Sequence, residues 1–331
     1  MTPMDQIDTV FLSYAEHNCE ENWADLLEKL PYAIRVHGVE GSDNAHKEAA
    51  NQAATDRVIT IDGDCTVVNE FFSMELDLEH PKLKDKVISW AARNKVNGLV
   101  YGNGGIKCWP KQHILNMKTH ENSGEDSDPR DQIEFCWHNG YVQMNNVYSV
   151  TDPSASPVQA FRAGFREGVK MSLNCGNKVK NNEFSTKLWY GNIHRLLTWM
   201  NVGADVENGL WCMYGARLGC YMTNFTDWDY IQVRDFNYID TLFNEDIAIK
   251  FDIGEGYTHH CFKTGYSYDE NLLLTEIDSL GTIIKDKLNM PVERLSPTAS
   301  EFFKKVHIGI PRSGAMVTEK EMENMMRING Y

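Results

Sequence analysis

The first sixty-four residues constrain this chain more than any other stretch. Residues 8–14 (DTVFLSY) are rich in β-formers and read as a strand. Trp23, Leu26, Leu27 and Leu30 then recur at helical spacing, and Pro31 ends that helix. Residues 33–39 read as a second strand. Residues 43–56 are Ala-rich and helical, with Asp43 or Asn44 as the expected N-cap. Residues 57–61 (RVITI) make a third strand, and Asp62-Gly63-Asp64 follows at its carboxyl end. A strand–helix–strand–helix–strand order calls for a parallel sheet covered by helices, and such sheets take ligands where their strands end.

Composition narrows the class. With 331 residues the chain makes one large domain or two modest ones, and 42% hydrophobic against 24% charged residues excludes a disordered or fibrous chain. The formal charge of −15 excludes a non-specific polyanion binder acting through bulk charge, though a local basic face stays open. The eight cysteines contain no C-x-x-C pair and no close His/Cys spacing suited to zinc. The N-terminal sequence has no secretory pattern, and no apolar run reaches membrane-spanning length. The expectation is a cytoplasmic protein with its thiols buried in the core.

Further along, residues 82–94 read as a helix and 98–101 as a strand running into Asn103-Gly104-Gly105. Residues 121–131 read as an exposed loop, 158–173 and 188–200 as helices, and Phe243-Asn244-Glu245-Asp246 as the opening of another helix. The expected organisation is one continuous domain in three parts: an α/β half at residues 1–120, an insertion at 121–235, and a last part at 236–331.

Asp62-Gly63-Asp64 is the sharpest chemical feature. Two carboxylates one residue apart, just past a buried strand, repel each other and lose hydration. A hard divalent cation with oxygen ligands offsets both costs. The bland alternative is a turn, since Asp and Gly are common turn residues.

With its upstream context, the stretch from Asp8 to Asp64 resembles the nucleotide-binding half of a GT-A glycosyltransferase with an Asp-x-Asp motif. The matching pieces are the strand at 10–14, the Ala-rich helix at 44–54 and Asp62–Asp64. The resemblance implies a GT-A-like α/β fold, a mostly parallel sheet flanked by helices with a helical insertion. It implies Mn²⁺ or Mg²⁺ on Asp64, with Asp62 touching the ribose or the metal through water. It places Leu12, Ser13, Tyr14 and Glu16 around the nucleobase and ribose of a nucleotide sugar, with uridine diphosphate as carrier.

Three later segments extend the resemblance. Residues 98–110 (GLVYGNGGIKCWP) are similar to the strand after the metal motif, where Gly104 and Gly105 would let the donor sugar approach the backbone; an ordinary strand-to-loop glycine pair is the alternative. Asn244-Glu245-Asp246-Ile247 looks like the acidic element at the acceptor site, with Asp246 as base and Glu245 as the neighbour that could exchange roles; helix capping is the alternative. His307-Ile308-Gly309-Ile310-Pro311-Arg312 resembles a late segment in which His307 is a third metal ligand and Arg312 pairs with the diphosphate. His259 and His260 are rival ligands.

Residues 160–220 carry a net charge of +4 in this acidic chain. Arg162, Arg166 and Lys170 recur every fourth residue, and Phe161, Phe165, Trp189, Tyr190 and Trp199 are interleaved. Basic and aromatic residues together suit a polyanion, and a solvated helix face over an aromatic core is the plainer alternative. Segments 101–107 and 161–168 resemble glycosyltransferases of tailed phages that modify hydroxymethylcytosine in DNA. That resemblance implies a DNA acceptor met through Arg162, Arg166 and Lys170, on a base flipped from the duplex. A glycan or protein acceptor, a nucleotidyltransferase, and a non-catalytic nucleic-acid- or sugar-binding module are the other readings. A nucleotidyltransferase would need a Gly-rich basic loop, which residues 12–18 lack.

Overall fold

The computed structural model describes residues 1–135, 140–254 and 266–307, apart from the side chains of 102–104 and 145. The chain divides into two compact units. The first comprises Met1–Asn122, Cys136–Asp152 and His307–Tyr331; the second comprises Ser123–Phe135 and Pro153–Val306.

The first unit is an α/β layer structure of the GT-A-like class. Its elements are β1 (Thr9–Ser13), α1 (Cys19–Lys29), β2 (Ile34–His37), α2 (Ser42–Gln52), β3 (Arg57–Asp62), β4 (Cys65–Val67), β5 (Val87–Asn94), β6 (Val100–Pro110), α3 (Lys111–Asn116) and β7 (Tyr141–Thr151). The seven strands form one sheet in the order β2-β1-β3-β6-β5-β7-β4. β1 pairs in parallel with β2 and with β3, as the sequence alternation requires. Beyond β3 the sheet is mixed. β6 is antiparallel to β3 and β5, β7 is parallel to β5, and β4 is antiparallel to β7. Three of the six pairings are parallel, β1 with β2, β1 with β3 and β5 with β7, so the sheet is mixed rather than mostly parallel.

Residues 87–94 are a strand, not the helix that the sequence suggested. Val87, Ile88, Trp90, Ala91 and Ala92 are all buried, because β5 lies inside the sheet between β6 and β7. A strand covered on both faces reads as a continuous apolar run, which periodicity cannot separate from a buried helix. Phe11, Ile59, Ile61, Phe71, Trp90, Ile106 and Cys108 meet in the core of this unit, with Trp23 and Leu26 of α1 closing over it.

The start of α2 also departs from expectation. The N-cap is Gly41, at φ 84°, and Asp43 lies inside the first turn. The exposed amides are capped from a distance: Ser42 and Asp43 N–H donate to the two oxygens of Glu121, at 3.1 and 3.2 Å. The Asp43 carboxylate turns to the Thr119 N–H at 3.1 Å and pairs with Lys47.

The second unit is helical, with α4 (Pro157–Met171), α5 (Phe184–Lys187), α6 (Tyr190–Asn201), α7 (Gly209–Phe225), α8 (Phe236–Thr241), α9 (Ala248–Lys250), α10 (Glu270–Leu288) and α11 (Pro297–Val306). The expected helices at 158–173 and 188–200 are α4 and α6. Ser156 caps α4 by accepting from the Gln159 N–H, and Pro157 sits at its first position. α4 and α7 cross backbone to backbone. A Cβ on Gly164 would stand 2.0 Å from the Cys212 carbonyl oxygen, and one on Gly168 would stand 2.2 Å from that of Ala216. Gly215 and Gly219 of α7 meet the carbonyls of Phe161 and Phe165 equally closely, at 2.3 and 2.4 Å. The glycines of 161–168 are thus packing residues that let two helix axes approach closely. Arg217 lies buried beside them. Its Nε donates to the Met200 carbonyl at 2.9 Å and its Nη1 to that of Ile277 at 2.6 Å, tying α6 and α10 to α7.

Candidate functional site

Parallel pairing sets Leu12 beside Asp62, so the carboxyl ends of β1 and β3 lie side by side. The chain leaves β3 through Gly63 and re-enters the sheet at Cys65. Four hydrogen bonds hold that turn. The buried Asn22 Nδ2 of α1 donates to the Gly63 carbonyl at 3.0 Å. The Asp152 N–H donates to the Asp64 carbonyl at 2.8 Å. The Cys65 thiol lies 3.4 Å from Asp64 Oδ1 and 3.1 Å from Thr151 Oγ1. Asp62-Gly63-Asp64 is a turn, but one pinned from α1 and β7, which a merely connecting turn does not require.

A third carboxylate closes on the pair. Glu16 follows β1 and accepts from the Tyr14 N–H at 2.7 Å. A Cβ on Gly63 would stand 2.7 Å from Glu16 Oε2 and 3.0 Å from the Leu12 carbonyl oxygen, so Gly63 is the residue over which Glu16 leans. Asp62 and Asp64 are half-buried. Burial first, then Glu16, pushes the Asp62 carboxyl up to about 6, against the opposing pull of Lys107. Burial first, then Asp62, Glu16 and Asp152, pushes Asp64 up to about 7, while the Cys65 thiol pulls it the other way. In such a cluster the ionised carboxylates repel one another, a cost that a hard cation would offset.

The donor set fits magnesium or manganese in a particular way. Glu16, Asp62 and Asp64 interact, but they are not a trio with all ligand atoms within 4.8 Å of one another. Among the described residues that spacing is met by Cys19, Glu20 and His37. Arg35 already fills that place: its Nη2 lies 2.5 Å from Glu20 Oε1, 3.3 Å from His37 Nδ1 and 3.6 Å from Cys19 Sγ, and its Nε donates to Ser13 Oγ at 3.1 Å. The cation at the end of β2 is a guanidinium. At Asp62 and Asp64 a magnesium or manganese ion would find one or two carboxylates and would take its remaining ligands from water or a bound group, the usual habit of magnesium sites.

The other expected site residues fall as follows. Leu12 and Ser13 are buried at the end of β1, where Ser13 Oγ lies 2.9 Å from His37 Nδ1 across the β1–β2 pair, and Tyr14 is 54% exposed. Gly105 lies in β6, at a shift of register that pairs Trp90 with Ile106 but Ala92 with Tyr101. The expected small-residue turn after 101 is therefore a bulge within a continuing strand. The missing side chain of Gly105 makes room for Cys65 Sγ and Ser149 Oγ, each 2.8 Å from where its Cβ would be. Gly104 lies in the same strand, outside the described side chains. His307 is half-buried just after α11. Arg312, His259 and His260 lie outside the described residues.

Glu245 and Asp246 belong to the second unit. They do not open a helix. They lie on a π-turn, Leu242–Ile247, inserted between α8 and α9, so the segment is mid-helical and the dipole at a helix N-terminus does not account for its acids. The extra residue per turn pushes Asn244, Glu245 and Asp246 to the surface while Phe243 and Ile247 stay buried.

Arg162, Arg166 and Lys170 do share one side of α4, but contacts within the second unit occupy that side. Arg162 pairs with Asp240 at 3.2 Å and lies over the Phe236 ring. The Arg166 guanidinium lies 4.4 Å from the same ring centre. Lys170 bridges Glu167 at 3.0 Å and Glu134 at 3.6 Å. The stripe is therefore neither an open basic array nor the solvated helix face of the plainer alternative, since its cations are half-buried against neighbouring acids and the Phe236 ring.

Lys107, Cys65, Asn22 and Asp152 are site residues that sequence reasoning missed. Lys107 faces Thr60 in the β3–β6 register, two residues before Asp62. Only a correct strand assignment for 100–110 and its partner reveals that alignment.

Of the described thiols, Cys19, Cys65, Cys108, Cys212 and Cys220 are buried as expected and Cys175 is exposed. No helix among the described residues is long and apolar enough to cross a membrane.

These features define an α/β protein of the GT-A-like class with an acidic turn at the carboxyl end of its third strand. No protein-family model and no curated protein matches the chain. Among solved structures, a glycosyltransferase involved in the glycosylation of the major capsid of PBCV-1 aligns with 44% of this chain and 94% of its own, at 12% identity and a TM-score of 0.26. S. aureus TarS 1-349 aligns with 80% of this chain and 99% of its own, at 11% identity and a TM-score of 0.29. Likeness of that degree carries no inference here, and the functional reading rests on the acidic turn itself.

Proposed function

We propose that the protein is a metal-dependent glycosyltransferase that uses a nucleotide diphosphate sugar, with UDP as carrier. The observation that carries this reading is the convergence of Asp62, Asp64 and Glu16, with both aspartates raised well above the ordinary carboxylate range. Asp64 and Asp62 would hold Mn²⁺ or Mg²⁺, with His307 as third ligand. A bound divalent ion supplies charge neutralisation for the departing diphosphate. The chain's own residues do the rest. Asn22 and Asp152 fix the turn backbone, Glu16 orders the start of the β1–α1 loop through the Tyr14 amide, and Lys107 keeps a positive charge near Asp62. Leu12 and Ser13 would lie against the nucleoside, and Arg312 is assigned to the diphosphate.

In the second unit, Asp246 is the proposed acceptor base and Glu245 its neighbour, because the π-turn exposes both carboxylates. The acceptor hydroxyl would give its proton to that carboxylate as the oxygen attacks the anomeric carbon and the bond to the diphosphate breaks. A hydroxymethylcytosine acceptor in DNA finds no open basic array on α4, since Arg162, Arg166 and Lys170 are engaged internally. A glycan or protein hydroxyl is the preferred acceptor class.

Calorimetry of UDP binding with and without Mn²⁺ tests the reading. Metal-dependent binding that is lost in Asp64→Ala supports it. Metal-independent binding, or binding unchanged in that variant, overturns it.

A further inference from the structure

Among the described residues, Trp189 and Tyr190 are neighbouring large aromatic side chains left open to solvent, at 45% and 58% exposure. They stand at the start of α6, and their ring centres lie 5.3 Å apart with planes tilted by 58°. Trp189 is held in place. A Cβ on Gly191 would lie 2.4 Å from the far edge of the indole, and the Arg195 guanidinium sits 5.4 Å from its ring centre. Gly191 and Arg195 are four residues apart on α6, so they share one side of the helix and both meet the indole, which keeps 45% of its surface exposed. Glycine at 191 makes this possible, because any side chain there would lift the ring off the helix.

The flanking sequence is basic. Residues 178–195 carry Lys178, Lys180, Lys187 and Arg195 against Glu183, a net charge of +3 in a chain of −15. Lys180 and Lys187 are exposed and have no ion-pair partner among the described residues. A rigid aromatic shelf costs little ordering entropy on binding, and nearby ammonium groups select an anionic partner.

We infer that Trp189 and Tyr190 form a binding shelf for an anionic glycan, the sugar rings lying on the aromatic faces and the acidic groups meeting Lys180 and Lys187. The ring geometry favours a glycan over a nucleic acid. Successive bases stack in parallel, and two rings tilted by 58° cannot both face such a stack. Sugar rings along a chain are turned relative to one another and suit an angled shelf. Calling this glycan the acceptor rests on the glycosyl-transfer reading; the binding itself does not.

The test is native affinity electrophoresis of the full chain without nucleotide or metal, through gels containing polygalacturonate, hyaluronan or neutral dextran. At least one of the two acidic polymers should retard the chain more than dextran does. W189A/Y190A should bind about tenfold more weakly. W189F/Y190F should retain most of the retardation, and both variants should keep the parent's thermal midpoint, since both rings are exposed. Retardation by neither acidic polymer, or equal retardation of the double alanine variant, overturns the inference. So does tighter binding of a twenty-residue oligothymidylate that the same variant abolishes. Because no donor is present, failure of the Asp64 site leaves this result unaffected, and the reverse also holds.

Discussion

The carboxylate of Glu16 lies over Gly63, 2.7 Å from the place a Cβ would occupy. That contact makes one acidic cluster from residues separated by 47 positions. It gives the glycine of Asp62-Gly63-Asp64 a reason beyond turn-making, because any side chain there displaces the third carboxylate.

Gly63→Ala should therefore weaken Mn²⁺-dependent UDP binding about tenfold while leaving the fold intact. The added methyl meets the movable end of Glu16, and Gly63 does not adopt the left-handed backbone that would strain alanine. Calorimetry at fixed pH measures the effect. Unchanged affinity would separate Glu16 from the metal site.

The raised aspartates predict a pH dependence of stability. The folded-state values of Asp62 and Asp64, about 6 and about 7, lie above the ordinary 3.8. Between those limits the folded state binds more protons than the unfolded state, so metal-free stability falls as pH rises from about 4 to about 7. Asp62→Asn/Asp64→Asn should flatten that fall. Since the cation needs both groups ionised, the rise in thermal midpoint caused by Mn²⁺ should be small at pH 5.5 and large at pH 7.5. Thermal scans across this range, with and without the metal, check both signs.

Glu121 caps α2 from 79 residues away. Glu121→Ala leaves the Ser42 and Asp43 amides without that partner and should cost about 1 kcal/mol, read as a lower urea midpoint with an unchanged slope.

The α4–α7 crossing tolerates no side chain. Gly164→Ala places a methyl inside the Cys212 carbonyl and should cost about 3 kcal/mol. Gly124→Ala, whose nearest neighbour is Ser127 Oγ at 3.7 Å, is the matched control and should be neutral. Urea denaturation of the two variants distinguishes packing from a general intolerance of alanine.

Asp246→Asn should lower turnover strongly with little effect on UDP binding, and Glu245→Gln should do so less. Parallel rate and binding measurements test whether the exposed π-turn serves the chemistry. Equal, full activity in both variants would leave its acids without a catalytic part.

Much was determined by the sequence alone because it was local. The β1–α1–β2–α2–β3 alternation, the end of α1 at Pro31 and the acidic pair at the end of β3 follow from side-chain period, a ring-locked backbone and short-range order. What only the tertiary structure decided involves partners far apart in the chain. Residues 87–94 became a strand because β6 and β7 pair with both of its edges and its side chains are buried on both faces. Glu121 took the capping role that local rules gave to Asp43 or Asn44. Glu16, Lys107 and Asp152 joined Asp62 and Asp64 through sheet register and loop return. The basic stripe of α4 turned inward to Asp240, Phe236 and Glu134, while Trp189 and Tyr190 stayed outside. Period and propensity act over a turn or two of chain, whereas burial and charge compensation depend on which distant surface arrives, and no short window of sequence contains that.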